Sequence, residues 1–237
     1  MSAASGDRRF EATDLIEVMD EAVHYNRFIV DLLLAWSRGL ERVLDFGAGN
    51  GRYCGELHDR GVAVEAMEPD RELRARIRER GVAAHGSLDA VGSGSLDGIY
   101  TVNVLEHIED DAGVLAAFHA RLRPGGRLLV YVPAFQVLFT ANDRRVGHVR
   151  RYRRGGLVRL VEAAGFTVDD ARYVDSLGFA ATLVYRFLGN TDGGLDVGAV
   201  RFYDRVVFPI SRILDRLLGR VLGKNLVLRA TRPPGPG

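Results

Sequence analysis

At 237 residues the chain is long for one domain and short for two, so one domain with appendages is expected. Hydrophobic residues at 47% against 27% charged supply enough apolar surface for a large core and exclude a disordered or low-complexity chain. Thirty-two Lys and Arg against 31 Asp and Glu leave a formal charge of +1, so no global field gathers nucleic acid and no nucleic-acid partner is expected. The lone cysteine, Cys54, rules out an intrachain disulfide and any multi-cysteine metal centre. No signal-like stretch opens the sequence and no long apolar run interrupts it, so the expectation is a soluble, cytoplasmic protein.

Residues 14–36 place Leu15, Ile16, Val18, Met19, Ala22, Val23, Phe28, Ile29, Leu32 and Leu33 at helical spacing, with Asp14 and Glu17 as a capping pair, which predicts an amphipathic helix. Residues 41–46 read as a short strand entering a glycine turn, and 52–60 as a helix that Gly61 stops. The alternation continues with a strand at 62–68, a helix at 70–80, a short strand at 82–86 and a strand at 96–103. A helix at 110–122, the turn RPGG and an apolar strand at 127–133 follow. Short links between alternating strands and helices imply a doubly wound α/β fold, its parallel sheet covered on both faces.

Residues 134–155 lack apolar periodicity and carry Arg144, Arg145, Arg150, Arg151, Arg153 and Arg154, so a long loop is expected there. A helix at 156–164, a strand at 166–174 and a helix at 177–188 precede the breaker NTDGG at 190–194. Between 200 and 222 a helix is expected with one apolar side and an arginine side, kinked or split by Pro209. A strand at 225–231 and a frayed tail close the chain.

VLDFGAGNG puts Gly47, Gly49 and Gly51 where the first strand turns into the next helix, so the main chain can approach a nucleotide-like ligand. A dinucleotide site would want glycine where Arg52 stands, and Asp45 would repel a diphosphate while suiting an ammonium or sulfonium group. Glu68 ends the second strand, where a carboxylate can accept both hydroxyls of a ribose.

These residues, with SLDGIYTVNVLEHIEDD and LRPGGRLLVYVP in the same order, resemble the class I S-adenosylmethionine-dependent methyltransferases over roughly residues 40–175. The resemblance implies a mostly parallel seven-stranded sheet with its last strand antiparallel, an N-terminal helix and a helical insertion before the last strand. It implies S-adenosylmethionine as cofactor, leaving S-adenosylhomocysteine. Asp45 would hold the methionine amino group, with Gly47, Ala48 and Gly49 passing beneath the methionine and ribose. Glu68, followed by Pro69, would take the ribose hydroxyls; Ser87, Leu88 and Asp89 would flank adenine; Asn103 and Val104 would line the methionine side and the acceptor mouth. Tyr25 on the N-terminal helix would help cover the cofactor.

On the acceptor side, ANDRRVGHVRRY is similar to a GHxRRY stretch in a subset of these enzymes, which makes His148 the candidate base with Asp143 and Tyr152 beside it. His107 reads as a packed histidine, and no metal site is expected. Residues 1–39 are expected to form a lid, 40–177 with 225–232 the core, and 178–224 a cap or dimerisation insertion. The acceptor would be a small, apolar or amphiphilic molecule, such as a bacterial-type secondary metabolite, prenyl or sugar-lipid intermediate. A peripheral membrane or homodimer contact through 178–222 is the other expected partnership. The alternatives are a nicotinamide-dependent oxidoreductase and a non-catalytic membrane-associated module.

Overall fold

The computed structural model describes residues 21–187 and 197–235. Its strands are β1 (Val43–Phe46), β2 (Val64–Met67), β3 (Ala83–His85), β4 (Leu96–Val102), β5 (Leu122–Pro133), β6 (Thr167–Val174) and β7 (Asn225–Thr231). They form one seven-stranded sheet in the order β3-β2-β1-β4-β5-β7-β6. Strands β1 to β5 pair in parallel, and β7 runs antiparallel to both β5 and β6. The helices are α1 (Val23–Trp36), α2 (Arg52–His58), α3 (Arg71–Glu79), α4 (Asp111–Arg121), α5 (Ala141–Arg145), α6 (Arg154–Ala163), α7 (Ser176–Phe187), α8 (Val197–Phe202) and α9 (Phe208–Leu218).

The continuous burial of β1 and β4 follows from helices on both faces. Side chains alternate across the sheet, so each strand feeds two cores. Leu44, Ile99, Leu128 and Val130 face one side with Phe118 of α4 and Leu157 and Val161 of α6. Val43, Tyr100, Leu129 and Tyr131 face the other with Ile29, Leu33 and Trp36 of α1, Leu57 of α2 and Ile77 of α3. Each such side chain contributes about 1.5 to 3 kcal/mol when fully buried. The arrangement leaves the carboxyl ends of β1, β2 and β4 to β6 along one edge, the place where open α/β sheets bind ligands.

Two expectations are corrected by the structure, and the division expected near Pro209 is found. Strand β5 begins at Leu122 instead of 127, because Leu122 pairs with Leu96 and the RPGG turn is absorbed as a register shift. The arginine loop is not structureless: Thr140 and Asp143 form a capping box that nucleates α5, and Tyr152 forms a bridge with Ala134 that returns the chain to the end of β5. The 200–222 helix is divided into α8 and α9 by a π turn at Tyr203–Val207, which puts Pro209 in the first turn of α9, where its missing N–H costs nothing. Asp14, Glu17 and the 190–194 breaker lie outside the described residues. Among the described residues no helix is long and apolar enough to cross a membrane.

The helices between β6 and β7 pack on α1 through buried charge. Asp204, 2% exposed, accepts the backbone N–H groups of His24 (2.8 Å) and Tyr25 (2.9 Å) and sits 3.0 Å from His24 Nδ1. A carboxylate from the far end of the chain thus caps an N-terminus that has no side-chain cap of its own. Phe208 meets the rings of Tyr25 and Phe28, and the Arg212 guanidinium lies 3.7 Å above the Phe28 ring centre.

Candidate active site

Gly47 and Gly49 hold φ of +77° and +55° in the turn between β1 and α2, a region L side chains rarely occupy. The N–H groups of Gly47 and Ala48 are tied to the Met67 carbonyl at the end of β2, at 2.9 and 3.1 Å. Glu68 is locked by the same main chain, its Oε2 accepting the Gly49 N–H at 2.8 Å and its Oε1 the Asp70 N–H at 2.9 Å. Burial raises its carboxyl above the usual range. Pro69 supplies only its carbonyl, to Arg74 Nη1 at 2.9 Å.

Asp45 lies buried beneath the turn beside Tyr100 and Cys54, and its Oδ2 has no hydrogen-bond partner among the described residues. Burial first, and the nearby Glu68 next, push its carboxyl up to about 7. A ligand bearing a cationic amino-acid end and a ribose suits this edge: the orphaned oxygen needs a positive donor, and a Cβ at Gly49 would meet nothing within 4 Å. Ser87, Leu88 and Asp89 form a tight turn; Leu88 packs on the core, whereas the exposed Asp89 carboxylate is directed to Arg121 at 3.2 Å.

Val104 supports the glycine turn from β4, and Asn103 takes a left-handed φ of +53°. Tyr25 reaches from α1 to the Asn103 side chain and packs edge-on against Tyr131 at 6.3 Å; burial pushes its hydroxyl up to about 12. Among the described residues the other left-handed non-glycine residues are Phe135 (φ +60°) and Asp175 (φ +64°), which follow β5 and β6. Asn103, Phe135 and Asp175 therefore mark one edge of the sheet. Phe135 stacks on Tyr173 at 4.6 Å, and Phe179 of α7 closes on it edge-on at 5.1 Å.

The structure brings Asp143 and His148 together and separates Tyr152 from them. His148 Nδ1 is 2.7 Å from Asp143 Oδ1, and Arg151 grips the same carboxylate through Nε at 2.8 Å and Nη2 at 2.9 Å. Burial alone would raise the Asp143 pKa, but hydrogen bonds from His148 and Arg151 hold it well below the usual range. Tyr152 instead donates to Asp111 Oδ2 at 2.8 Å and to the Leu105 carbonyl at 3.1 Å, while Arg150 joins the same Asp111 oxygen at 2.6 Å.

Three contributions escaped the sequence reading. Asp111 and Asp204 look like solvated helix acids until the fold brings their distant partners in. Glu106 follows β4 and points inward: it is 0% exposed, and neither carboxylate oxygen has a hydrogen-bond partner among the described residues. Burial lifts its carboxyl to about 8. The imidazole of His107 lies edge-on to His148 with ring centres 4.6 Å apart, and desolvation, then His148, lowers its pKa to about 4. The only available signal was the adjacency of Glu106 and His107 just after a strand.

A family model described as "Methyltransferase domain" matches residues 19–171. The chain is 30% identical over 135 residues to the "Probable S-adenosylmethionine-dependent methyltransferase" of Mycolicibacterium smegmatis, across 54% of this chain and 52% of that protein. The chain spans about half the length of the curated relatives it matches. Among solved structures, it is similar to a SAM-dependent methyltransferase of Thermotoga maritima, with a TM-score of 0.63 at 16% identity over 95% of this chain and 97% of that one. A SAM-dependent methyltransferase of Archaeoglobus fulgidus gives 0.55 at 16% identity over 85% and 94%. These structures share the fold, and the nicotinamide and non-catalytic alternatives fall. The chain belongs to the class I S-adenosylmethionine-dependent methyltransferases, and S-adenosylmethionine is its cofactor.

Proposed function

We propose that the protein methylates an O, N or C nucleophile on a small apolar or amphiphilic molecule, of the secondary-metabolite, prenyl or sugar-lipid kind, held at the carboxyl ends of β4, β5 and β6. The observation that carries this reading is the left-handed backbone at Asn103, Phe135 and Asp175, one after each of those strands. Such conformations cost of order 1–3 kcal/mol each and persist where a site needs them. The aromatic wall of Phe135, Tyr173 and Phe179 supports an apolar acceptor body.

Bound S-adenosylmethionine supplies a methyl already activated by its sulfonium, so the protein's task is positioning. Asp45 is the anion for the methionine end, Gly47 to Gly49 the floor, Glu68 with Pro69 the ribose stop, and Ser87 to Asp89 the adenine flank. Val104 holds the floor, while Asn103 and Tyr25 close the methionine side. In-line placement of the nucleophile can supply about 7 to 11 kcal/mol, and a positioned base adds typically 10² to 10⁴ in rate. With His148 Nδ1 held by Asp143, Nε2 is the lone-pair atom through which this edge acts on the acceptor's proton. Asp143 orients the ring, and Tyr152 anchors the loop on Asp111.

In this reading α1 and the described helices of the 178–224 insertion form one cover, joined by Asp204. The outer side of α8 and α9 exposes Phe202, Val206, Ile210, Ile213, Leu217 and Val221, with Arg205, Arg216 and Arg220 alongside. Asp204 and Asp215, the acids of these helices, bond inward to α1 and to the backbone before α7. An apolar stripe flanked by Arg205, Arg216 and Arg220 suits an anionic lipid surface, from which an amphiphilic acceptor would be drawn. Flotation with phosphatidylglycerol vesicles tests this: binding lost in Leu217→Glu supports it, and a concentration-dependent dimer without vesicle binding replaces it with a homodimer contact.

The function itself is tested by calorimetric titration with S-adenosylhomocysteine, followed by methyl transfer from labelled S-adenosylmethionine to phenolic, prenylated and sugar-lipid acceptors. Micromolar binding lost in Glu68→Ala, with transfer to one of these classes, is the expected result. Unaltered binding in that variant overturns the site, and exclusive methylation of protein or nucleic acid overturns the acceptor class.

A further inference from the structure

Glu106, His107 and His148 bring a carboxylate and two imidazoles together just beyond β4, and the three ligand atoms they offer lie within 4.8 Å of one another. Glu106 is wholly buried with both oxygens unpartnered among the described residues, an arrangement that favours the protonated acid until a cation arrives to pair with the carboxylate. Arg151 does not neutralise it at hydrogen-bond range, because its guanidinium is spread across both oxygens of Asp143. His148 is prepared as a ligand from behind: Asp143 takes Nδ1 at 2.7 Å, leaving Nε2 on the Glu106 side. A carboxylate behind a ligating imidazole is how metal sites fix ring tautomer and direction.

Spacing points the same way. His148 Nε2 and Glu106 Oε1 are 3.7 Å apart, too far for a hydrogen bond. Two ligands held 2.0 to 2.2 Å from one tetrahedral ion stand about 3.4 Å apart, close to that separation. His107, the exposed member of the trio, offers a ring nitrogen within 4.8 Å of the other two ligand atoms. We propose that Glu106, His107 and His148 bind a divalent transition-metal ion of the zinc class, with Asp143 as the support behind His148. Two imidazoles and one carboxylate suit such an ion better than magnesium or calcium, which prefer all-oxygen shells.

Three protein ligands leave a coordination position open. This inference rests on the reading of this edge as the acceptor side and deepens it. An acceptor oxygen or nitrogen on the ion would lose its proton to solvent more readily, so His148 would act through the metal and not by taking the proton itself.

The test is titration of chelator-treated, dialysed full-length protein with zinc and cobalt against a chromophoric chelator, with magnesium in parallel. One equivalent of zinc or cobalt is expected, with visible cobalt absorption of a low-coordinate site and no comparable magnesium binding. Binding should be lost in His148→Ala and Glu106→Gln, fall on the order of 10- to 100-fold in Asp143→Asn, and persist in His58→Ala. Wild-type protein whose thermal midpoint and cobalt spectrum ignore both ions overturns the proposal without any variant. Stoichiometric binding undiminished in both His148→Ala and Glu106→Gln also overturns it. S-adenosylhomocysteine is titrated separately in metal-free buffer: cofactor binding without metal binding removes the ion alone, and metal binding without cofactor binding removes the cofactor site alone.

Discussion

The two ends of the active edge are built on different length scales. At the cofactor end, Glu68 is held by Asp70 two residues away and by Gly49 nineteen residues away, and the partners are main-chain N–H groups. At the acceptor end, Tyr152 reaches Asp111 across 41 positions and Arg150 reaches it across 39, both side chain to side chain, while Asp204 takes main-chain N–H groups of α1 across 180 and 179 positions. A site made of local backbone can be shared by enzymes with one cofactor. A site made of long-range side-chain pairs can change its acceptor without disturbing the glycine turn.

The sharpest way to break this comparison is at the turn itself. A Cβ at Gly47 would sit 2.5 Å from Val104 Cγ2, in addition to the left-handed backbone. Gly47→Ala should therefore lose about 2 to 5 kcal/mol, combining about 1–2 for backbone and 1–3 for overpacking. Gly49→Ala has open space around its Cβ, so it should lose only about 1–2 kcal/mol of stability and yet at least about tenfold in S-adenosylhomocysteine affinity. Urea unfolding and calorimetric titration separate the two. Equal destabilisation would mean that β4 does not brace the turn.

Asp45 sharpens the contrast through pH. Its folded pKa of about 7 stands above the ordinary 3.8, so the folded protein holds the extra proton between those values. The Asp45 contribution to stability is therefore greatest below about pH 4 and declines as pH rises towards about 7. Asp45→Asn should remove that decline, becoming the more stable protein near neutrality while losing cofactor affinity. Comparing the two proteins at about pH 5 and about pH 7.5 cancels the other titrating groups. A variant less stable than wild type at both values would show that the carboxylate is already compensated.

At the acceptor end, Arg151→Lys keeps the charge and removes the fork on Asp143. We expect a loss of about 1–3 kcal/mol, slower methyl transfer and unchanged S-adenosylhomocysteine affinity. A matching fall in cofactor affinity would join the two ends into one unit.

The same contrast governs what could be read in advance. The β1–turn–α2 unit and Glu68 were legible because strand, glycines and acid occur in a short run whose spacing carries the geometry. The split at Pro209 was legible from a missing N–H, but the π turn that absorbs it depends on packing. The capping box at Thr140 and Asp143 lay inside an arginine-rich run whose composition suggested only a loop. Glu106 carries no signal in the sequence because burial, not residue type, makes it unusual: in solvent the same carboxylate would need no partner. His148 drew notice from its motif, yet its two partners lie on α5 and beyond β4.

The smallest predicted effect concerns the adenine flank, where a local reading and a side-chain contact disagree. In the proposed arrangement Asp89 flanks adenine, but its carboxylate is exposed and paired with Arg121 of α4, whose Nε also donates to the Leu88 carbonyl at 3.2 Å. Exposed pairs of this kind contribute little, so Asp89→Ala should leave unfolding nearly unchanged. If Asp89 serves only that pair, S-adenosylhomocysteine affinity should stay within about twofold, whereas loss of a hydrogen bond to the adenine amino group would cost about 0.5–1.5 kcal/mol, or roughly two- to twelvefold. Arg121→Gln supplies the converse: freeing Asp89 should let it turn to the base and raise affinity slightly. A fall in both variants would make the Asp89–Arg121 pair itself the support of the adenine turn, and would extend side-chain construction to the cofactor end.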